Sequence, residues 1–154
     1  MKKVIIFLVI MLVLFGGVGV LTYMQNLAPE DNVYQKNTLD PATTAQLDDP
    51  NYQNIILPDE LEEKLDNGED ATVYFYSPTC QFCQQTTPIV SPLTEEMGVD
   101  LVQYNLLEFE QGWDDFNISE TPTIVQFKAG EETARITGLR EETVFEDWFN
   151  ENSK

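Results

Sequence analysis

The chain contains no histidine. That absence removes Cys-His and Ser-His nucleophile pairs, histidine general bases and histidine metal ligands. Cysteine is scarce: Cys80 and Cys83 are the only two in 154 residues, and both belong to one motif. No other thiol is left for a separate structural disulfide or a four-ligand zinc site. Basic residues are few, 8 against 27 acidic ones, for a net charge of −19. Setting aside Lys2 and Lys3, which precede a hydrophobic stretch, the rest carries −21. Such a surface repels phosphate backbones, so no nucleic-acid partner is expected. It also repels anionic headgroups, which keeps a folded domain off the lipid itself. Solubility accounts for the acidity in preference to an acidic docking patch. No cofactor and no metal are expected.

What is present begins with an uncharged run of 20 residues, Val4 to Tyr23. As a helix rising about 1.5 Å per residue it spans roughly 30 Å, the thickness of a hydrocarbon core. Lys2 and Lys3 favour an N-terminus inside and the rest of the chain outside. A cleaved signal peptide starts the same way, with a shorter apolar core and a small-residue cleavage site. Gly17 and Gly19 fill such a site weakly, and Asn26 spoils the one ending at Ala28. The expectation is a retained single-pass anchor over residues 1–23 in the cell membrane, with an extracytoplasmic domain. A cleaved signal would leave the domain on the same side.

Residues 24–53 are rich in Asn, Asp, Gln, Thr and Pro, show no sustained period and read as a polar linker. The folded domain is expected over residues 54–154. Ile55 to Leu57 reads as a short strand. Asp59 and Glu62 have the form of a capping box for a helix that stops at Asn67-Gly68. Thr72 to Ser77 is β-branched and aromatic, a buried strand. A helix is predicted from about Cys80 to Met97, kinked at Pro88 and stopped by Gly98. Asp100 to Leu106 is the next strand, and Gln111 to Asn117 a short helix or turn. Thr123 to Lys128 and Glu132 to Thr137 form a hairpin around Ala129-Gly130-Glu131. Glu141 to Asn150 closes the chain as a helix with Val144, Phe145, Trp148 and Phe149 on one face. Early alternation and a late hairpin predict an α/β fold with a central mixed sheet flanked by helices. No dimerisation segment is visible, and a monomer is expected.

Chemistry concentrates at Cys80-Gln81-Phe82-Cys83, where a strand turns into a helix. Unpaired N–H groups at a helix start favour a thiolate on the first cysteine. A thiol one turn later can resolve a mixed disulfide formed there. Cys80 is therefore the expected exposed nucleophile and Cys83 the buried resolving thiol. A zinc half-site lacks further ligands here. A purely structural disulfide between such near neighbours closes a tiny loop and adds little stability.

Tyr74-Phe75-Tyr76-Ser77-Pro78-Thr79-Cys80-Gln81-Phe82-Cys83, Pro88, Glu120-Thr121-Pro122-Thr123-Ile124 and Gly138 follow one another along the chain. On these residues the sequence from about residue 54 onward resembles the thioredoxin family, and within it the membrane-anchored extracytoplasmic thioredoxin-like proteins of Gram-positive bacteria. The resemblance implies a thioredoxin-like three-layer fold and thiol–disulfide oxidoreductase activity through Cys80 and Cys83. It also implies that Pro122 is cis beside the cysteine pair and that Thr121 and Pro122 bind a substrate strand. An ordinary trans proline at a strand start is the alternative. The implied partners are cysteine-containing secreted or membrane proteins, together with a membrane redox partner that reoxidises or reduces the pair. Oxidase, reductase and isomerase directions stay open, with a slight tilt to oxidase or thiol-quality control and away from a dedicated isomerase, for which no dimerisation segment is visible. An accessory module assisting secretion or folding of a peptide or transporter is the rival function. The chain departs from the family around the site. Thr79 stands where the cytoplasmic members have Trp, and Gln81-Phe82 where they have Gly-Pro. Tyr74 stands where a proton-carrying aspartate is usual, and Gln103 replaces its usual lysine partner. Tyr74 reads as core, because its pKa near 10 suits proton relay poorly.

Overall fold

The structure is a computed structural model and describes residues 2–25, 27–29 and 31–153. Its first element, α1 (Lys2–Gln25), contains an apolar run Val4–Met24 long enough to cross a membrane, with none of that run buried against the rest of the protein. By length and composition a signal sequence passes the same test.

The remaining elements are α2 (Pro41–Thr44), a single 3-10 turn at Pro50–Tyr52, α3 (Pro58–Asp66), β1 (Ala71–Tyr76), α4 (Gln81–Met97), β2 (Leu101–Asn105), α5 (Gly112–Asp115), β3 (Thr123–Lys128), β4 (Glu131–Thr137) and α6 (Glu142–Asn152). The four strands lie in the order β2-β1-β3-β4. β1 runs parallel to β2 and antiparallel to β3, which pairs antiparallel with β4. This is the mixed sheet that the sequence predicts. β1 is buried along all six residues, as a strand covered on both faces must be.

Alternate residues of β1 feed two cores, because successive side chains leave opposite faces of a strand. Val73 and Phe75 join Leu61 of α3, Val102, Tyr104 and Phe127 on one face. Tyr74 and Tyr76 join Val90 and Leu93 of α4 and Phe145 and Phe149 of α6 on the other. Three layers result: α3 and α5, the sheet, then α4 and α6. On α6 the expected apolar stripe is narrower than its sequence suggests. Phe145 and Phe149 are fully buried and Trp148 is partly covered, but Val144 lies exposed.

Helix α4 begins and ends where the sequence predicts. Cys80 is its N-cap, and Gly98 closes it in the left-handed conformation at φ 68°. Both Pro88 and Pro92 lie within it.

Three expectations need correction. The segment Ile55 to Leu57 makes a single parallel bridge, Ile55 to Gln103, and no strand. Asn54 O accepts from Gln103 N–H at 2.8 Å and Ile56 N–H donates to Gln103 O at 3.0 Å, after which Pro58 starts α3. Helix α3 starts one residue before the predicted cap. Pro58 takes the first helical position, where a missing N–H costs nothing, and Glu60 accepts from Leu57 N–H at 3.0 Å. The largest difference concerns the polar linker. Tyr34, Leu39, Thr43 and Tyr52 are buried, so much of residues 24–53 is packed on the domain. Asp40 and Asp49 each cap a short helical turn that opens on a proline. Their side chains accept from Ala42 N–H at 2.8 Å and Asn51 N–H at 2.9 Å. The two Asp-Pro pairs were the sequence signal for these two turns, not for the burial.

Candidate redox site

β1 ends at Tyr76, and Ser77-Pro78-Thr79 carries the chain to Cys80 at the tip of α4. Cys80 is partly exposed and Cys83 is fully buried; both are free thiols. The N–H of Cys83 donates to Cys80 Sγ at 3.2 Å, the contact a helix N-terminus offers an anionic cap. On its other side Cys80 Sγ donates to Thr121 O at 3.4 Å. The Thr121–Pro122 peptide bond is cis. Two further bonds hold that loop: Gly138 N–H to Pro122 O at 2.8 Å, and Thr123 Oγ1 to Glu120 O at 2.8 Å. The structure thus brings Cys80, Cys83, Thr121 and Pro122 together from segments about 40 residues apart, with Gly138 completing the rim.

The two thiols sit in opposite environments. Burial pushes the Cys80 thiol up, but hydrogen bonds with Cys83 and Thr121 and with the backbone at Cys83 and Phe82 outweigh it, so it lies below the ordinary thiol value. Burial pushes the Cys83 thiol up, and its hydrogen bond to Cys80 adds to that. An accessible sulfur that ionises early, beside a buried one that holds its proton, is what nucleophile and resolving thiol require.

Tyr74 is part of the core. It is fully buried and its hydroxyl lies 3.1 Å from Thr87 Oγ1 and 3.4 Å from Cys83 O. Burial holds its proton well above the ordinary phenol value, which disqualifies it as a base. Thr87 Oγ1 donates to Cys83 O at 2.9 Å. These hydroxyls brace the turn that carries Cys83. Gln103 pairs in register with Tyr74, and its Nε2 donates to Asn51 O at 2.7 Å and Ser91 Oγ at 3.1 Å. The two family positions that depart from the usual pair are therefore structural here. Thr87 was missed by sequence reasoning; its place one helical turn after Cys83 was the available signal. Among the described residues, no three acidic or thiol side chains lie close enough to hold a metal.

A free, partly exposed thiol at a helix tip, a buried partner one turn on and a cis-proline loop against the sulfur fit the thiol–disulfide oxidoreductase class. The comparisons with known proteins give the family. The family model described as Thioredoxin matches residues 43–151. Thioredoxin of Rickettsia conorii is 28% identical over 93 residues, covering 59% of this chain and 89% of the relative. Thioredoxin of Chlamydia pneumoniae is 29% identical over 82 residues, covering 53% and 80%. A mutant thioredoxin from Halobacterium salinarum superposes with a TM-score of 0.56 at 24% identity, covering 68% of this chain and 94% of that one, which speaks to the fold alone. The chain belongs to the thioredoxin family and is a thiol–disulfide oxidoreductase.

Proposed function

We propose that this protein exchanges disulfides with secreted or membrane proteins outside the cytoplasm, held there by α1 as a membrane anchor. Cys80 is the nucleophile, Cys83 the resolving thiol, and the Thr121-Pro122 edge binds the substrate strand. The observation that carries the chemistry is the pair of contacts on Cys80 Sγ: Cys83 N–H at 3.2 Å and Thr121 O at 3.4 Å. The first stabilises a thiolate. The second puts a backbone edge beside the sulfur, where an extended peptide gains main-chain hydrogen bonds with little demand on its side chains.

In the reducing direction the Cys80 thiolate attacks one sulfur of a substrate disulfide. A Cys80–substrate disulfide forms, and the other substrate sulfur leaves as a thiolate that takes up a proton. Cys83 then attacks Cys80 Sγ, its proton passing to the departing sulfur or to water. The substrate leaves as a dithiol and the pair as a disulfide, two electrons having moved. The reverse sequence oxidises a substrate dithiol. A membrane redox partner restores the starting state in either direction. No carboxylate replaces the usual aspartate at the Tyr74 position, so the resolving step draws on no dedicated base there.

The test is Cys80→Ser, assayed for reduction of insulin disulfides and for refolding of a reduced substrate. Loss of both activities to buffer background is expected. Unchanged activity would refute the redox function and favour an accessory binding module.

A further inference from the structure

We propose that the redox site is held at the bilayer surface and works on thiols or disulfides of membrane proteins there, in preference to freely diffusing secreted chains. This rests on α1 being a retained anchor, as proposed above.

The chain enters the domain almost as soon as it leaves the anchor. Helix α1 ends at Gln25. Two residues later Leu27 is bridged antiparallel to Thr38, and Ala28 N–H donates to Asn37 O at 3.1 Å. Tyr34 is buried, and its hydroxyl lies 3.1 Å from Tyr76 Oη and accepts from Asn105 Nδ2 at 3.2 Å. Lys36 Nζ donates to the Glu108 carbonyl, and to its carboxylate at 3.0 Å. Asp40 N–H donates to the same carboxylate at 2.8 Å. Tyr76 and Asn105 are the last residues of β1 and β2 and are paired in register. Cys80 lies four residues beyond Tyr76. The strap therefore docks at the end of the sheet that carries the cysteines.

Reach follows from chain length. From Gln25 to Tyr34 the backbone can span at most about 30 Å fully extended. Had the segment to residue 53 been a free tether, the limit would be about 95 Å. The docked strap thus removes most of the reach that the polar composition suggests and leaves the cysteine end of the domain nearest the membrane. The acidic surface keeps the domain off anionic lipid, so the strap alone confines it, close to thiols of proteins embedded in the same bilayer. Confinement raises their effective concentration without any new contact.

The experiment uses the full chain in vesicles of neutral phospholipid bearing an acceptor dye on the headgroup. In the Cys83→Ala chain a donor is placed on Cys80. In a second chain, Cys80→Ser, Cys83→Ala and Lys128→Cys, the donor sits beside Phe127, which pairs with Ala71 at the opposite end of β1. Energy transfer is expected to fall by more than about half between the two, because six strand residues separate them by about 20 Å. Inserting about 20 Gly and Ser residues before Leu27 adds roughly 25 Å of flexible reach and should lower transfer from Cys80. Equal or greater transfer from position 128, or no effect of the insertion, would overturn the proposal. Release of the chain by alkaline carbonate would instead refute the retained anchor, and the proposal with it. Mixed disulfides trapped on Cys80 of the Cys83→Ala chain in native membranes should carry integral membrane proteins; a trap dominated by secreted chains would overturn the substrate preference.

Discussion

Tyr34 offers the sharpest test of the strap. Its ring is buried and packs 6.1 Å from that of Phe109, and its hydroxyl bonds with Tyr76 and Asn105. Tyr34→Ala removes a whole aromatic side chain from a closed site, which costs about 3–5 kcal/mol in well-packed cores. Tyr34→Phe keeps the ring and removes one oxygen. Asn105 Nδ2 still has Thr43 Oγ1 at 3.3 Å, but the buried Tyr76 hydroxyl loses its partner. Leaving one such group unsatisfied costs about 1–3 kcal/mol. A domain holds only about 5–15 kcal/mol in total, so Tyr34→Ala should bring this one close to unfolding. The assay is urea unfolding of the full chain in mild detergent, followed by tryptophan fluorescence. The expected midpoints fall in the order wild type, Tyr34→Phe, Tyr34→Ala. If both variants unfold at the wild-type midpoint with the same slope, residues 27–52 are not part of the cooperative unit, and the short reach of the domain is lost with them.

Alkylation of Cys80 by iodoacetamide should rise with pH as the thiolate fraction grows, with its half-rise below the ordinary thiol value. The sign follows from the hydrogen bonds that outweigh burial at that sulfur. In Cys83→Ala one of those bonds is gone, and the half-rise should move upward. Tyr74→Phe should lower stability by about 1 kcal/mol through loss of its contacts with Thr87 and Cys83 O. It should leave the pH profile of insulin reduction unmoved; a shift in that profile would show that the phenol takes part in proton transfer after all.

Most of the site's chemistry was legible in the residues. A thiol pair spaced one helical turn apart, after a β-branched and aromatic strand and before a helix closed by Gly98, puts a cysteine at a helix tip. Those are local relations, set by helix periodicity and by the unpaired N–H groups of the first turn, and local relations survive in a linear sequence. The lack of histidine and of any third cysteine excluded a zinc site built on the cysteine pair, and His-paired nucleophiles, on composition alone. Tertiary structure decided the rest. Only the folded sheet places the Thr121 carbonyl 3.4 Å from Cys80 Sγ, because β3 must lie antiparallel beside β1 for the two loops to meet. Only the fold turns the polar segment before residue 54 into a strap. Its composition reads as solvated, yet Tyr34, Leu39, Thr43 and Tyr52 are spaced to fit a surface formed by strands and helices far along the chain. An isolated aromatic among polar residues carries no period, so burial of that kind is written in the partner surface and not in the segment itself.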